Sequence, residues 1–188
     1  MPKGRAEAAA TEAEMTNADA PFMRPVRLPA GIAGRLWLGP MPGRWRPLAE
    51  DLAELVEQRV ERIICLTPRD EIALKSPDYA AGQAGLGISV TSFPIGDFGV
   101  PTNEAGLMAL AAEAARDLRA GRALYMHCAA GIGRSGTVGI CILLALGLHR
   151  EEATAVIAAA GSGPETDDQK QLVARLAAAV SSPPAGRA

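Results

Sequence analysis

Residues 124–146 read LYMHCAAGIGRSGTVGICILLAL. The apolar start at 124–126 predicts a buried strand, and the apolar end at 140–146 predicts a helix that is buried on every side. Residues 128–134 therefore form a turn from a strand into a helix. The first N–H groups of a helix have no partner within that helix, and they add to the positive end of its dipole. A turn of this kind binds anions.

Within this turn the chain places a thiol, two glycines and a guanidinium. Positive helix ends and nearby arginines favour the thiolate form of cysteine, so we expect Cys128 to be ionised and nucleophilic at neutral pH. Arg134 presents a planar fork that can bind two oxygens of one phosphoryl group. Gly131 and Gly133 can adopt the positive φ angles that let the backbone close on a ligand. These residues predict a cup for a phosphate dianion around a sulfur nucleophile; a structural cysteine at a tight turn is the alternative.

The segment from Cys128 to Arg134, with His127 before it and Ser135 after it, resembles the Cys-x5-Arg loop of the cysteine-dependent protein phosphatases. Within that superfamily it is most similar to the small dual-specificity type, and more narrowly to the kinase-associated phosphatase group. The loop is highly specific for the reaction and much less specific for the substrate.

The resemblance extends to CLTPRDE at 65–71 and FPIGDFGVP at 93–101, and it covers most of residues 30–180. It implies the protein tyrosine phosphatase-like fold, which is α/β with a central, mainly parallel sheet flanked by helices. The order of apolar and amphipathic segments leads to the same fold class, because alternating strands and helices build a mainly parallel sheet covered on both faces.

Hydrophobic periodicity and capping signals predict the individual elements. The predicted strands lie at 35–38, 62–66, 88–93 and 122–127. The predicted helices lie at 47–59, 103–120, 135–147, 150–160 and 166–180. Thr102 is the predicted cap of the helix at 103–120, and Thr67 with Pro68 is predicted to open a short helix. A single phosphatase domain is predicted at 25–180, between segments 1–24 and 181–188 that are predicted to be disordered.

A departing alkoxide or phenoxide needs a proton, and general acid catalysis contributes about 10²–10⁴-fold. Asp97 is the candidate donor, in a loop bounded by two prolines and 31 residues before Cys128. The resemblance implies this role, since the family carries an Asp on a mobile loop at such a distance. An ordinary turn aspartate is the alternative. Asp70 and Glu104 are weaker candidates, because a carboxylate is expected at a helix start in any case.

The resemblance also implies roles around the turn. The substrate phosphate is bound by Arg134 and by the backbone of the five preceding residues, Ala129, Ala130, Gly131, Ile132 and Gly133. Cys128 attacks phosphorus while Asp97 protonates the leaving group, and Asp97 then acts as base when water hydrolyses the phosphocysteine. Ser135 hydrogen-bonds the sulfur, with an ordinary first-turn serine as the alternative. His127 is a supporting residue that braces the loop.

Thr166 and Gln169 have the spacing of a capping box that opens the last helix. The resembling family often carries a Gln near this point that places the hydrolytic water, and a glutamine committed to the cap would not reach that water. The pattern leaves both roles of Gln169 open. The family often has an Arg and a Pro just before this helix, whereas residues 160–164 read AGSGP. That difference puts an additional anion contact from this loop in doubt.

Composition favours one reduced, metal-independent enzyme. The net charge of −2 argues against bulk binding to nucleic acid or to anionic membranes. The three cysteines are expected to be unpaired, and an active thiolate needs reducing surroundings, so the predicted location is cytoplasmic. The two histidines and three cysteines show no zinc spacing, and neither a metal nor a cofactor is predicted. No segment is apolar and long enough to predict a signal peptide or a membrane span, and the pattern predicts no oligomeric state.

The predicted partner is a phosphorylated protein. Phosphoinositide-acting relatives tend to carry lysines inside the loop, whereas this loop has Ala129, Ala130 and Ile132. Phosphotyrosine is favoured over phosphoserine or phosphothreonine, because phenoxide is the easier leaving group. The same chemistry on a small metabolite, such as an inositol phosphate or a nucleotide, is the alternative. A phospho-binding pseudoenzyme or a sulfur carrier is a second alternative, and neither of these needs both Asp97 and Arg134.

Several side chains can line the rim of the predicted site. Four cations can face the substrate or belong to an ordinary solvated surface: Arg44, Arg46, Arg69 and Lys75. Phe98 can stack on a tyrosine ring or pack the aspartate loop against the domain.

Overall fold

Strands and helices alternate along residues 21–181, the part of the chain that the computed structural model describes. The strands are β1 (Arg24–Val26), β2 (Arg35–Gly39), β3 (Arg62–Cys65), β4 (Ser89–Ser92) and β5 (Ala123–His127). The helices are α1 (Leu48–Glu57), α2 (Arg69–Lys75), α3 (Tyr79–Gly82), α4 (Glu104–Arg119), α5 (Gly133–Ala145), α6 (Arg150–Ala159) and α7 (Asp167–Ser181).

The five strands form one sheet in the order β1-β2-β5-β3-β4. The pairs β2 with β5, β5 with β3, and β3 with β4 are parallel, and β1 runs antiparallel to β2 at the edge. The predicted α/β fold with a central, mainly parallel sheet is therefore confirmed. Because β5 lies at the centre of the sheet, the turn that follows it opens in the middle of the carboxyl edge, where α/β sheets bind ligands.

Side chains of β5 alternate between two cores, as strand geometry requires. Leu124 and Met126 belong to the larger core, which contains buried residues of α4, α5, α6 and α7. Ala123 and Tyr125 belong to the smaller core, which contains buried residues of α1 and α3. Helices thus cover both faces of the sheet.

Helix α5 is buried over 12 of its 13 residues. Its run of Ile, Leu and Cys side chains joins the larger core, which agrees with the predicted helix without a water-facing side. The helix begins at Gly133, two residues before the predicted start at 135, because the Ile132 carbonyl already accepts a hydrogen bond from Gly136 N at 2.6 Å. Arg134 consequently lies in the first helical turn rather than in a loop.

The predicted disorder of residues 21–24 is wrong. Phe22 and Met23 are buried in the smaller core, with the Phe22 ring 5.1 Å from that of Tyr125. Arg24 begins β1, a strand of three residues that contains Pro25. A proline in so short a segment conceals a strand from pattern analysis, although edge strands tolerate proline.

At the other end of the described chain, α7 extends to Ser181, the first residue of the predicted tail. The remaining residues of the two predicted disordered segments, 1–20 and 182–188, lie outside the described residues.

Two predicted caps are also displaced by one residue. Helix α4 is capped by Asn103 rather than Thr102, and the Asn103 side chain accepts a hydrogen bond from Gly106 N at 2.8 Å. Pro68, rather than Thr67, stands immediately before α2, where no side chain caps the helix. In both places the chain turns into the helix one residue later than the pattern indicates.

Candidate active site

The cysteine loop, residues 128–134, connects the end of β5 to the first turn of α5. Its carbonyl groups accept hydrogen bonds from residues outside the loop. Met41 N donates to the Ala129 carbonyl at 3.0 Å, and Ser162 Oγ donates to the Gly131 carbonyl at 2.6 Å. The negative ends of these peptide groups are therefore already occupied by the surrounding protein.

The N–H groups of the same loop have a different environment. Those of Ala129, Ala130 and Ile132 donate to no acceptor in residues 21–181, and Gly131 N donates to Cys128 Sγ at 3.2 Å. The first N–H groups of α5 add to this set. The loop thus offers several donors and few free acceptors, which is the composition of an anion site.

Gly131 is required by the conformation and by the packing of the loop. Its φ angle is +75°, and a β-carbon there would lie 2.2 Å from the Gly39 carbonyl oxygen and 2.8 Å from Pro40 N. The loop therefore rests directly on the end of β2, and a side chain at this position would push it away.

Arg134 is fixed by two elements that precede it in the chain. Its guanidinium forms a bidentate pair with Glu71 of α2, at 2.7 and 3.0 Å, and Nη1 donates to the Ile95 carbonyl at 3.0 Å. Burial opposes the charge, but hydrogen bonding to Glu71 and the negative charges of Cys128 and Asp97 raise the pKa of Arg134 above its ordinary value. The guanidinium is thus charged, nearly inaccessible to solvent and held in one orientation.

Asp97 is brought to the same guanidinium by the aspartate loop, residues 94–101. Its Oδ1 lies 2.8 Å from Arg134 Nη2, while half of the side chain (51%) stays exposed. Oδ1 also accepts a hydrogen bond from Phe98 N at 3.2 Å. Phe98 adopts a φ of +55° and is 61% exposed, so its ring does not pack the loop against the domain.

A closed cycle of alternating charges results. Lys75 Nζ lies 2.8 Å from Glu71 Oε1 and 3.9 Å from Asp97 Oδ2, so that Arg134, Glu71, Lys75 and Asp97 each face two opposite charges. Burial opposes ionisation of Glu71, but hydrogen bonds from Arg134 and Lys75 lower its pKa to about 2. Lys75 is therefore the predicted rim cation that lies beside the acid candidate.

Two other predicted rim cations have different partners. Arg46 pairs with Asp51 at 3.1 Å and with Glu54 at 2.9 Å, which ties it to α1. The Arg44 guanidinium lies 4.4 Å from the ring centre of Trp45.

The weaker acid candidates lie apart from this network. Glu104 pairs with Arg175 of α7 at 2.7 Å. Asp70 is exposed in the first turn of α2, next to the exposed rim candidate Arg69. Asp97 is therefore the candidate that the structure brings to Arg134.

His127 is fully buried at the end of β5, directly before the cysteine. Its Nδ1 lies 3.2 Å from the Cys128 carbonyl oxygen, which only accepts, so Nδ1 carries the proton and the Tyr79 hydroxyl donates to Nε2 at 2.9 Å. Burial lowers the pKa of His127 to about 4, with a further lowering from Arg134 and an opposing contribution from the Cys128 carbonyl. The imidazole is neutral at pH 7 and connects α3 to the cysteine loop.

Ser135 lies in the first turn of α5 and is fully buried. Its Oγ has no hydrogen-bond partner in residues 21–181, so the hydrogen bond to the sulfur that the resemblance implies is not formed here. A buried hydroxyl without a partner is costly, unless a group that arrives with substrate or leaves during the reaction satisfies it.

Gln169 takes part in the capping box. Its Oε1 accepts a hydrogen bond from Thr166 N at 3.4 Å, and the backbone N–H of Gln169 donates to Thr166 Oγ1 at 3.3 Å. Oε1 also accepts from Glu165 N at 2.8 Å, and Nε2 donates to the Gly99 carbonyl of the aspartate loop at 3.0 Å. The amide is thus committed at both ends to backbone groups.

Two broader features of the described residues concern metals and membranes. Between residues 21 and 181, no group of three or more His, Cys, Asp or Glu side chains is arranged to hold a metal ion. In the same range, no helix has the length and apolar character needed to cross a bilayer.

Pattern analysis missed two residues that fix this site. Glu71 resembles a carboxylate placed for the dipole of α2, and Tyr79 resembles an ordinary core aromatic. The CLTPRDE segment of the resemblance contains Glu71, so the pairing with Arg134 had a signal in the sequence. For Tyr79 there is no comparable signal, because its contact with His127 joins residues 48 positions apart.

Comparisons with known proteins agree with this architecture. A sequence model of the Tc-R-P family, described as "Polymorphic toxin system, DSP-PTPase phosphatase", matches residues 39–148. Comparison with curated protein sequences finds no significant match.

Solved structures share the fold. The crystal structure of kinase associated phosphatase (KAP), with its catalytic cysteine substituted by serine, is 22% identical over 88% of this chain and 99% of its own, with a TM-score of 0.75. Human DUSP28 is 19% identical over 87% of this chain and 97% of its own, with a TM-score of 0.66. PTPMT1 in complex with PI(5)P is 22% identical over 77% of this chain and 91% of its own, with a TM-score of 0.62.

The family match spans more than half of the 188 residues and includes β5, the cysteine loop and α5. The chain accordingly belongs to the Tc-R-P family of DSP-PTPase phosphatases and is a cysteine-based protein phosphatase of the dual-specificity type.

Proposed function

We propose that this phosphatase hydrolyses phosphotyrosine, and to a lesser degree phosphoserine and phosphothreonine, through a phosphocysteine on Cys128. One observation carries the proposal. In the cysteine loop the Ala129 and Gly131 carbonyls accept hydrogen bonds from outside the loop, whereas the N–H groups of Ala129, Ala130 and Ile132 donate to no acceptor within residues 21–181. Arg134, at the end of the loop, is held by Glu71. A phosphoryl dianion is the ligand that satisfies such a set of donors.

In the first step the sulfur of Cys128 attacks phosphorus and forms an S–P bond. The P–O bond to the leaving group breaks, and Asp97 transfers its proton to the departing oxygen. The loop N–H groups and Arg134 bind the equatorial oxygens, where charge develops in the transition state. The ion pair between Arg134 and Asp97 opens as the dianion takes the place of the carboxylate at Nη2, and the released Asp97 takes up from solvent the proton that it passes to the leaving oxygen.

In the second step water attacks the phosphocysteine. Asp97, now ionised, accepts a proton from that water, the S–P bond breaks and the thiolate leaves. Ser135 supports the proposal here, since its buried hydroxyl without a partner is available to donate to the departing sulfur.

The surroundings of the cysteine loop support an aromatic phosphoprotein substrate. The side chains of residues 129–133 are small or apolar, so beyond Arg134 the loop adds no positive charge for a multiply phosphorylated head group. Phe98 stands exposed beside Asp97, where it is available to contact a tyrosine ring. The PTPMT1 structure contains PI(5)P, so a phosphoinositide is the necessary comparison substrate.

We also propose a cytoplasmic location. All three cysteines are free and buried, and a reducing compartment preserves a nucleophilic thiol. The net charge of −2 gives no general attraction to nucleic acid or to anionic membranes.

The decisive experiment measures kcat/KM side by side on a phosphotyrosine peptide, the matched phosphothreonine peptide, PI(5)P vesicles and inositol phosphates. We expect the order phosphotyrosine, phosphothreonine, phosphoinositide. Rapid acid quenching with ³²P-labelled phosphotyrosine peptide should trap label on wild-type protein and none on Cys128→Ser. Preference for the lipid or for the soluble inositol phosphates would overturn the substrate class, and turnover without trapped label would contradict the covalent intermediate.

A further inference from the structure

The guanidinium of Arg24 contacts the cysteine loop at one of the loop's carbonyl groups. Arg24, in β1, donates through Nη2 to the Gly131 carbonyl and to Ser162 Oγ (3.1 Å), and through Nε to the Ala160 carbonyl at 2.9 Å. Ser162 Oγ itself donates to the Gly131 carbonyl at 2.6 Å. Two donors from separate parts of the chain therefore converge on one carbonyl oxygen of the loop.

The orientation of that carbonyl decides the orientation of the next N–H. A trans peptide is planar, so the C=O of Gly131 and the N–H of Ile132 point in opposite directions. Holding the Gly131 oxygen on the outside thus turns the Ile132 N–H toward the inside of the loop. This N–H donates to no acceptor in residues 21–181 and belongs to the proposed phosphate cup.

Gly131 provides no resistance of its own to a peptide flip. A flip of the Gly131–Ile132 peptide rotates ψ of Gly131 and φ of Ile132, and glycine, which has no β-carbon, restricts its backbone angles less than other residues do. Arg24 and Ser162 bind the carbonyl in the orientation that an anion requires, so the cup is formed before the ligand arrives.

The charge of Arg24 is also unusual in its surroundings. The guanidinium is mostly buried, its hydrogen bonds go to two carbonyls and a hydroxyl, and no carboxylate of residues 21–181 pairs with it. Burial lowers the pKa of Arg24 from its ordinary value, while Tyr125 and Cys128 oppose this lowering. Within residues 21–181, the guanidinium of Arg24 is therefore held by hydrogen bonds to neutral groups and by no ion pair.

We propose that Arg24 and Ser162 are positioning residues of the cysteine loop: they hold the Gly131–Ile132 peptide so that its N–H receives the phosphoryl group. The proposal rests on the proposed function of the loop as a phosphoryl site. Neither residue touches substrate; both act through the Gly131 carbonyl.

The test compares Arg24→Met, Arg24→Lys and Ser162→Ala with wild-type protein. Arg27→Met is the matched control, since Arg27 is exposed three residues farther along the chain. Two readouts do not depend on turnover: the dissociation constant of inorganic phosphate, and the protection of Cys128 from iodoacetate labelling by added phosphate. Losing one charged hydrogen bond corresponds to about tenfold in an equilibrium constant, so Arg24→Met should weaken phosphate binding about tenfold.

Arg24→Lys should lose phosphate affinity as well, because an ammonium preserves the charge without the planar fork. Ser162→Ala should weaken phosphate binding by a smaller factor, and the protection of Cys128 by phosphate should fall in the same order. The two effects in the double variant Arg24→Met/Ser162→Ala should be non-additive, since both donors share one acceptor.

Phosphate affinity and protection of Cys128 equal to those of Arg27→Met would overturn the proposal, even if Arg24→Met lowered the melting temperature. If Arg24→Met does not fold, Arg24→Lys and Ser162→Ala decide by the same readouts. A wild-type protein that binds phosphate and labels rapidly but turns over no phosphopeptide contradicts the proposed function and leaves this test intact.

Discussion

The cysteine loop and the aspartate loop meet at Arg134, yet they are built in opposite ways. The cysteine loop is buried, its carbonyls are bound from β1, the loop after β2 and the loop before α7, and a β-carbon on Gly131 would collide with the end of β2. The aspartate loop keeps half of Asp97 and most of Phe98 in solvent, and Asp97, the proposed acid, is held by ion pairs that a substrate dianion replaces in the proposed mechanism.

The difference separates two tasks. A nucleophile and its oxyanion donors gain from being fixed, because preorganised dipoles need no rearrangement during the reaction. A proton donor that later becomes a base must admit substrate, release product and admit water. The two loops should therefore respond differently to substitution: changes in the cysteine loop affect every substrate, and changes in the aspartate loop depend on the leaving group.

The largest expected effect is that of Cys128→Ser. A serine hydroxyl is not ionised at neutral pH and lacks a neighbouring base, so hydrolysis of an aryl phosphate should fall below detection while the circular dichroism spectrum is unchanged. Cys141→Ala, in the core side of α5, is the matched control and should retain activity. Turnover by the serine variant would remove Cys128 from its role and erase the contrast between the loops.

Arg134→Lys should lower kcat/KM by about 10²–10³-fold, the loss expected when an oxyanion donor is removed. Lysine keeps the charge but can neither form the bidentate pair with Glu71 nor grip two phosphoryl oxygens. The loss should be equal for good and poor leaving groups, measured on a series of substituted phenyl phosphates. Arg150→Lys, on the exposed start of α6, is the control; kinetics of the Arg134 variant that match it would contradict the bidentate grip.

Asp97→Asn should lower kcat by about 10²-fold on unsubstituted phenyl phosphate, and far less on nitrophenyl phosphate, whose leaving group needs no proton. A steeper dependence of kcat on leaving-group basicity is the sharpest test of the division between the loops. Asp70→Asn keeps the same change of charge nearby and should leave that dependence as in wild type. A uniform loss on all leaving groups would assign Asp97 to phosphate positioning instead.

Glu71→Gln should lower kcat/KM by about tenfold, the equivalent of one weakened hydrogen bond to a charged group. The pKa of Glu71 is lowered to about 2, so the carboxylate stays ionised throughout the working range and the acidic limb of the wild-type pH profile does not come from it. Glu54→Gln, which removes a partner of Arg46 instead, should leave kcat/KM unchanged. If the acidic limb of the pH profile disappeared in Glu71→Gln, that limb would come from protonation of Glu71. Arg134 would then lose its ion pair with Glu71 within the working pH range.

The smallest effect concerns stability. The pKa of His127 is lowered from 6.5 to about 4. Below pH 6.5 His127 therefore binds a proton in the unfolded chain, whereas in the folded chain it binds one only near pH 4. The contribution of His127 to the free energy of unfolding is fully present above pH 6.5. It is lost as the pH falls, by about 1 kcal/mol between pH 6.5 and 5.5. Urea unfolding across this range should show the slope in wild type and in His149→Asn, and a flatter curve in His127→Asn. An unchanged slope in His127→Asn would mean that His127 is not the buried, neutral residue that supports the cysteine loop.

The sequence predicts the centre of this molecule better than its periphery. Strand β5, the cysteine loop and α5 are contiguous, so periodicity and the Cys-x5-Arg spacing describe them directly. Asp97 was identified by its distance from Cys128, and the structure brings it to Arg134 at 2.8 Å.

What the sequence does not predict comes from contacts between distant segments. Arg24 reaches Ala160 across 136 positions, and Tyr79 reaches His127 across 48. No local pattern marks such pairs. The strand that contains Arg24 is itself hard to predict, because it has only three residues and one of them is a proline. The predicted cap of α4 is wrong by one residue for a local reason. Thr102 and the adjacent Asn103 are both residue types that cap helices, and in the structure Asn103 accepts the hydrogen bond from Gly106 N.

The hydrogen bond from Arg24 to the Gly131 carbonyl also bears on when the cysteine loop forms during synthesis. β1 leaves the ribosome early, but Ser162 and the Ala160 carbonyl emerge long after Cys128, because the chain is made from its amino end. A nascent chain that ends before residue 160 holds the cysteine without the groups that shape its surroundings. The cysteine loop should therefore reach its final backbone conformation late, near completion of the domain.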